Sequence, residues 1–249
     1  MHDRIGGDGP VRWILPPDGW PREVHASLSL RSGGVSPHPF DTLNLGRSAG
    51  DDLDRVSENE AIWSRARGLP GPPARAKLAH GVDLLRIDRP GVYAPYDSLM
   101  TDRPGLPLWL TVADCYPVFL TGGAWVAVVH CGWRGAAAGA AGIAAREVAS
   151  SSGLSLEAIH AWIGPGIGAC CYPVGEDVAA RFPRERVSPR GERLHLELGG
   201  AIEDDLRHNG LRPEWIARTQ LCTSCRPDLF FSYRRDGPRS GRMAAVIWR

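Results

Sequence analysis

A chain of 249 residues, 43% hydrophobic and 23% charged, has the composition of a soluble globular protein and excludes a disordered or fibrous one. A formal net charge of +1 excludes the broad positive field that nucleic-acid or membrane-surface binding needs, so small charged metabolites are the expected partners. Apolar stretches are broken by Gly, Pro or charge before the ~20 residues of a bilayer span, and residues 1–7 lack the features of a secretory signal. A cytoplasmic location follows as an expectation, and six cysteines in such a chain are too few for a disulfide scaffold.

No repeat, low-complexity tract or long linker divides the sequence, so a single domain over 1–249 is expected, with 1–20 as a peripheral segment. Leu53, Val56, Ile62, Trp63 and Ala66 recur at helical spacing within residues 51–68, behind acidic residues and before Gly68, which predicts an amphipathic helix. Pro, Gly and Arg cluster at 68–73 and 183–193, and both stretches read as surface loops. Residues 108–112 read as a strand, and Pro117 argues against its continuation as a central strand, which leaves Cys115 at a strand end. The apolar run 124–129 predicts a second strand delivering His130 to a Gly-rich turn, and an Ala-rich helix is expected from there to about residue 150. A strand at 159–163 leads into Gly164-Pro165-Gly166-Ile167-Gly168, a helix is expected at 196–209 before Gly210, and 243–248 reads as the last strand. Strands with chemistry on their terminal loops and helices over the sheet describe a layered mixed α/β (α+β) domain.

Three soft or borderline metal ligands occur in short Gly-rich or Pro-broken settings: His80 before Gly81, Cys115 after Asp114, and His130 after Val129. Taken singly, a histidine at a strand end is commonly a hydrogen-bonded structural residue, and a free cysteine is commonly a small buried hydrophobe. Their combination gains meaning from motifs that run in order through the chain. These are Leu43-Asn44-Leu45-Gly46, His80-Gly81, Ala113-Asp114-Cys115-Tyr116-Pro117 and His130-Cys131-Gly132-Trp133-Arg134-Gly135. They continue with Ile163-Gly164-Pro165-Gly166-Ile167-Gly168, Cys171-Tyr172, Cys222-Thr223, Phe230-Phe231-Ser232-Tyr233-Arg234-Arg235-Asp236-Gly237 and Gly241-Arg242-Met243. From about residue 25 onward the chain resembles the YfiH family of laccase-domain proteins, long called polyphenol oxidases and later purine nucleoside phosphorylases.

The resemblance implies a compact α/β/β/α fold, a monomer, and a metal held by His80, Cys115 and His130. Two imidazoles and a thiolate suit Zn²⁺ and leave the fourth tetrahedral position open for water or substrate, as in catalytic zinc sites. Cu²⁺ can occupy the same set. A multicopper enzyme needs many histidines in close pairs, and the eight here contain no His-x-His pair. The implied activity is phosphorolysis of adenosine, inosine or 5′-methylthioadenosine to free base and ribose 1-phosphate, with adenosine deamination beside it. Copper-dependent polyphenol oxidation, amidase editing of peptidoglycan precursors by a metal or by a Cys115–His130 pair, and a zinc-stabilised binding module are the competing readings.

Asp114 is a candidate to orient the thiolate or carry a proton, or else a surface carboxylate. Arg134 offers a guanidinium fork for phosphate, or a surface ion pair. Arg234 and Arg235 fit either the substrate pocket or an Arg–Asp network, and Asn44 either caps backbone or reaches the ligand. The family's usual Gln-Val before the first histidine is Leu78-Ala79 here, so substrate preference is expected to shift. Cys131 is expected to point away from His130, as strand neighbours do. Cys222-Thr223-Ser224-Cys225 has the spacing of half a zinc site, with Cys170 and Cys171 as the other half. A structural metal there is not expected, because adjacent cysteines chelate one ion poorly and the resemblance accounts for Cys171 and Cys222 without one.

Overall fold

The computed structural model describes residues 4–249. The chain begins with three strands, β1 (Arg4–Asp8), β2 (Val11–Leu15) and β3 (His25–Ser29), then helix α1 (Leu53–Arg67). Six short strands follow: β4 (Ala74–Ala76), β5 (Leu84–Arg86), β6 (Gly91–Tyr93), β7 (Ser98–Thr101), β8 (Leu108–Val112) and β9 (Tyr116–Gly122). Next come β10 (Trp125–Cys131), α2 (Trp133–Ala137), α3 (Ala140–Ser152) and β11 (His160–Ile163). β12 (Pro173–Val174), α4 (Glu176–Ala179), β13 (Val187–Arg190) and β14 (Arg193–Leu196) lead to α5 (Leu198–His208). β15 (Ile216–Arg218), α6 (Tyr233–Asp236) and β16 (Met243–Trp248) complete it.

Two large sheets form, one ordered β1-β2-β3-β16-β8-β4-β6 and the other β15-β11-β9-β10-β7-β5. Between them lies an apolar layer in which Leu28, Leu110, Ala245 and Ile247 of the first sheet meet Leu99, Phe119, Val128 and Trp162 of the second. The outer face of the second sheet carries α3 and α5 through Ala144, Ala145, Val148, Leu198, Ile202 and Leu206. The outer face of the first sheet packs Trp13, Trp109 and Trp248 against Trp63 of α1. The order is therefore helix, sheet, sheet, helix, as the resemblance implied. None of the helices among the described residues is long and apolar enough to cross a membrane.

Local signals explain the elements and their departures from expectation. Helix α1 starts where the Asp52 side chain accepts the Asp54 N–H and ends where Gly68 turns left-handed at φ 63°. The Ala-rich stretch expected to be one helix is two, because Gly139 at φ 75° breaks it. Pro117 does not stop the chain: β9 begins at Tyr116 as a central strand, and the proline is tolerated as its second residue, opposite His130. The 183–193 stretch is only partly loop, since β13 and β14 pair as a hairpin within a third, small sheet with β12. Residues 1–20 are not wholly peripheral: β2 pairs with β3 and buries Val11, Trp13 and Ile14.

The topology concentrates connections at one end of the sandwich. Three times the chain leaves the first sheet and enters the second, between β4 and β5, between β6 and β7, and between β8 and β9. His80, Asp97 and Cys115 sit on those three crossings.

Candidate metal centre and pocket

The three predicted ligands converge. One donor atom each from His80, Cys115 and His130 lies within 4.8 Å of the others, and the two imidazoles meet edge to face at 4.9 Å between centroids. His130 comes from the strand itself, where the period-2 alternation sends Val126 and Val128 toward the layer between the sheets and Ala127, Val129 and Cys131 toward α3. Cys131 is therefore buried on the opposite face, as expected.

Close approach at this end is a matter of missing atoms. A Cβ on Gly132 would stand 3.1 Å from the Cys115 sulfur and 3.7 Å from His130 Cε1, so the glycine is what lets the turn pass beneath the ligands. His80 and Asp114 are the two non-glycine residues described at positive φ, 64° and 81°. Such conformations cost of the order of 1–3 kcal/mol each and persist where the surroundings fix them, commonly at functional sites.

For His80 the fixing group is Asp97, a residue outside every motif singled out in the sequence. Its carboxylate accepts the backbone N–H groups of His80 and Gly81, each at 2.7 Å, and stands 3.1 Å from His130 Nδ1. Asp97 thus holds His80 by its backbone and His130 by its ring. Its one sequence signal is that of an acidic residue opening a strand. Burial alone would raise the Asp97 pKa, but His130 and the Gly81 and His80 N–H groups outweigh it and bring it down to about 2. Burial likewise lowers His130, yet the Cys115 sulfur and the Asp97 carboxylate outweigh it and lift the imidazole to about 9. His80 moves down, through burial, the neighbouring His130 and Arg134 against the opposing pull of Asp97.

An open pocket lies over His80 and Cys115, lined also by Asp114, Trp133, Arg134 and Tyr172 among others. Arg134 lies over the Trp133 ring at 4.3 Å, and Arg234 over the Tyr172 ring at 5.2 Å. Burial, reinforced by the Cys115 sulfur, pushes the Tyr172 hydroxyl up to about 12, so it stays a protonated donor at neutral pH.

The remaining candidates are placed differently. Asp114 reaches the pocket, but its carboxylate accepts Thr223 Oγ1 at 2.6 Å, the Arg234 N–H at 2.7 Å and Ser232 Oγ at 3.1 Å. Arg235 spends its guanidinium on Asp236 and on the carbonyls of Thr223, Ser224 and Phe230. Asn44 is fully buried, accepting the Gly46 and Arg242 N–H groups at 2.9 Å each and donating to Asp51. Arg234, Arg235 and Asn44 do not line the pocket, although Arg234 stands over Tyr172, which does.

Two imidazoles and a thiolate that already converge, with one imidazole oriented by a carboxylate, fit a borderline cation such as Zn²⁺ or Cu²⁺. Residues 25–249 match the family described as multi-copper polyphenol oxidoreductase laccase. The chain is 35% identical to the purine nucleoside phosphorylase YfiH of Escherichia coli over 244 residues, covering 94% of this chain and 98% of that one. It is 38% identical to a purine nucleoside phosphorylase of Deinococcus radiodurans over 231 residues, covering 90% and 88%. Among solved structures, the Bacillus licheniformis hypothetical protein YfiH superposes with a TM-score of 0.90 at 29% identity, covering 99% of each chain. YlmD of Geobacillus stearothermophilus gives 0.88 at 31% identity, covering 100% of this chain and 99% of that one. The chain belongs to the YfiH family of laccase-domain proteins.

Proposed function

We propose that this chain is a zinc-dependent purine nucleoside phosphorylase, in which inorganic phosphate attacks C1′ of adenosine, inosine or 5′-methylthioadenosine. The base leaves and the sugar is recovered as its 1-phosphate. The observation that carries the reading is the convergence of His80, Cys115 and His130 beneath a pocket that also presents Arg134. Relatives at 35–38% identity bearing that activity in their names support it.

His80, Cys115 and His130 would hold the metal. When bound, such an ion supplies Lewis acidity at an anionic oxygen and can lower the pKa of water, which also accounts for adenosine deamination as a second activity. The chain's own groups supply the rest. Arg134 offers two parallel N–H donors to a phosphate, and its position over Trp133 holds the guanidinium plane. Arg234, over Tyr172, is a second cation at the pocket's edge, and Tyr172 is a hydroxyl donor for a ribose or base acceptor. Asp114 acts as a positioning residue: it fixes the turn that carries Cys115 and the backbone of Arg234. Holding phosphate and nucleoside in line is the larger part of catalysis for a displacement of this kind.

A copper-dependent oxidase reading draws on the family's description. Among the described residues, however, His80 and His130 are the histidines that fall in a metal-competent group, which supplies one mononuclear site rather than a copper cluster. Incubating the zinc-loaded protein with adenosine, with and without phosphate, and separating the products by chromatography tests both readings. Adenine forming only with phosphate, and lost in Cys115→Ala, is expected. No adenine, hypoxanthine or inosine, or strong phenol oxidation by the copper-loaded protein, overturns the assignment.

A further inference from the structure

A second set of metal donors stands apart from the three ligands. The sulfurs of Cys170, Cys171, Cys222 and Cys225 all lie within 4.8 Å of one another, and all four are free thiols. Cys225 Sγ is 3.4 Å from both Cys170 Sγ and Cys171 Sγ. Four thiolates around Zn²⁺ at ~2.3 Å form a tetrahedron whose edge is about 3.8 Å, so the sulfurs already stand near the spacing of a tetrathiolate site. A disulfide would need them at about 2.05 Å.

The objection that adjacent cysteines chelate one ion poorly is strongest in a strand, where neighbouring side chains point to opposite faces. Here Cys170 and Cys171 lie in a turn closed by the Cys171 N–H donating to the Gly168 carbonyl at 2.9 Å, so alternation does not govern them. The other pair is tied to this turn, because Cys222 Sγ receives the N–H of Gly168 at 3.2 Å. The two loops are also registered by backbone, through the Gly166–Cys222 bridge and the Thr223 N–H to Gly166 carbonyl bond at 3.0 Å.

We propose that these four cysteines form a structural zinc site that staples the loop after β11 to the segment after β15. Both loops serve the pocket. Ile167 and Tyr172 line it from the first, and Thr223 from the second holds Asp114. The ion would fix one wall of the pocket without touching substrate, and the proposal stands whether or not nucleosides are turned over.

The test uses the full chain purified under reducing conditions. Zinc per chain is measured by mass spectrometry in wild type, in Cys115→Ala and in Cys170→Ser/Cys225→Ser. The expected values are two ions, one and one, with the ion left in Cys115→Ala released by an organomercurial together with four thiols. Cobalt exchanged into wild type should give the visible bands and sulfur-to-metal charge transfer of a tetrahedral tetrathiolate, a readout that needs no variant to fold. A single zinc in wild type that disappears in Cys115→Ala overturns the proposal. So does a wild-type cobalt spectrum lacking the tetrathiolate bands, or a Cys171–Cys225 disulfide in the native protein.

Discussion

The proton on His130 Nδ1 decides what that ring can do. A carboxylate held down to about 2 has no proton to give at neutral pH, so at 3.1 Å from Asp97 it is Nδ1 that carries the hydrogen. Nε2 is then left free to serve as a metal donor beside His80 and Cys115. Removing the charge at Asp97 while keeping its shape should loosen the metal. Asp97→Asn is expected to lose about 10- to 100-fold in zinc affinity, measured by competition with a chromophoric chelator, with much smaller change in fold by circular dichroism.

His130, raised by the Cys115 sulfur and by Asp97, and Asp97 itself set a pH dependence of opposite sign with and without metal. His130 is raised from 6.5 to about 9, so its contribution to stability is fully present below 6.5 and is lost as the pH climbs through 9. Asp97 is lowered from 3.8 to about 2, so its contribution is present above 3.8 and is lost as the pH falls toward 2. Metal-free protein should therefore gain most from this pair between these limits and melt earlier as the pH rises toward 9. Zinc must displace the His130 proton, so the rise in Tm on adding zinc should grow over the same interval. A calorimetric series from about pH 6 to about pH 9.5, with and without zinc, checks both trends.

At the scale of elements, the three crossings between sheets are held by side chains rather than by regular structure. Asp97 gathers the β4–β5 connection, and Asp114 ties the β8–β9 turn to Thr223, Ser232 and Arg234, all distant in sequence. Thr223 and Ser232 are fully buried, so Asp114→Ala would strand their hydroxyls. A loss of about 3 kcal/mol is expected in urea denaturation of the zinc-loaded protein, and Asp114→Asn should lose less, because it keeps an acceptor.

For the whole molecule, the apolar layer between the sheets aligns the strands that deliver the ligands. Phe119 and Trp162 stack there at 4.6 Å, and the Trp162 indole N–H donates to Thr219 Oγ1 at 3.0 Å. Trp162→Ala should cost about 3–5 kcal/mol and weaken zinc binding although no ligand is touched, since β11 pairs with β9 at the strand that follows Cys115. Chemical denaturation and zinc titration of the same variant measure both effects.

What is legible in the sequence is local or carried by motif. The stop of α1 at Gly68 and the alternation that turns Cys131 away from His130 follow from residue type and spacing, and the family resemblance singles out His80, Cys115 and His130, which the fold brings together. What is not legible depends on which chain segments end up side by side. Pro117 argues against a central strand, yet β9 holds that place because the proline comes at its start. Asp97 carries no motif and acquires its role from three crossings folding to one end. Asn44 and Arg235 look like ligand-binding residues as residue types, but their polar atoms are consumed by neighbouring backbone and side chains. The adjacent cysteines look unfit to share an ion in a strand, but a turn that spacing does not specify brings both sulfurs toward Cys225. Sequence determined the donors, because metal chemistry depends on residue type; tertiary structure decided which donors meet, because convergence depends on long-range pairing that no local pattern encodes.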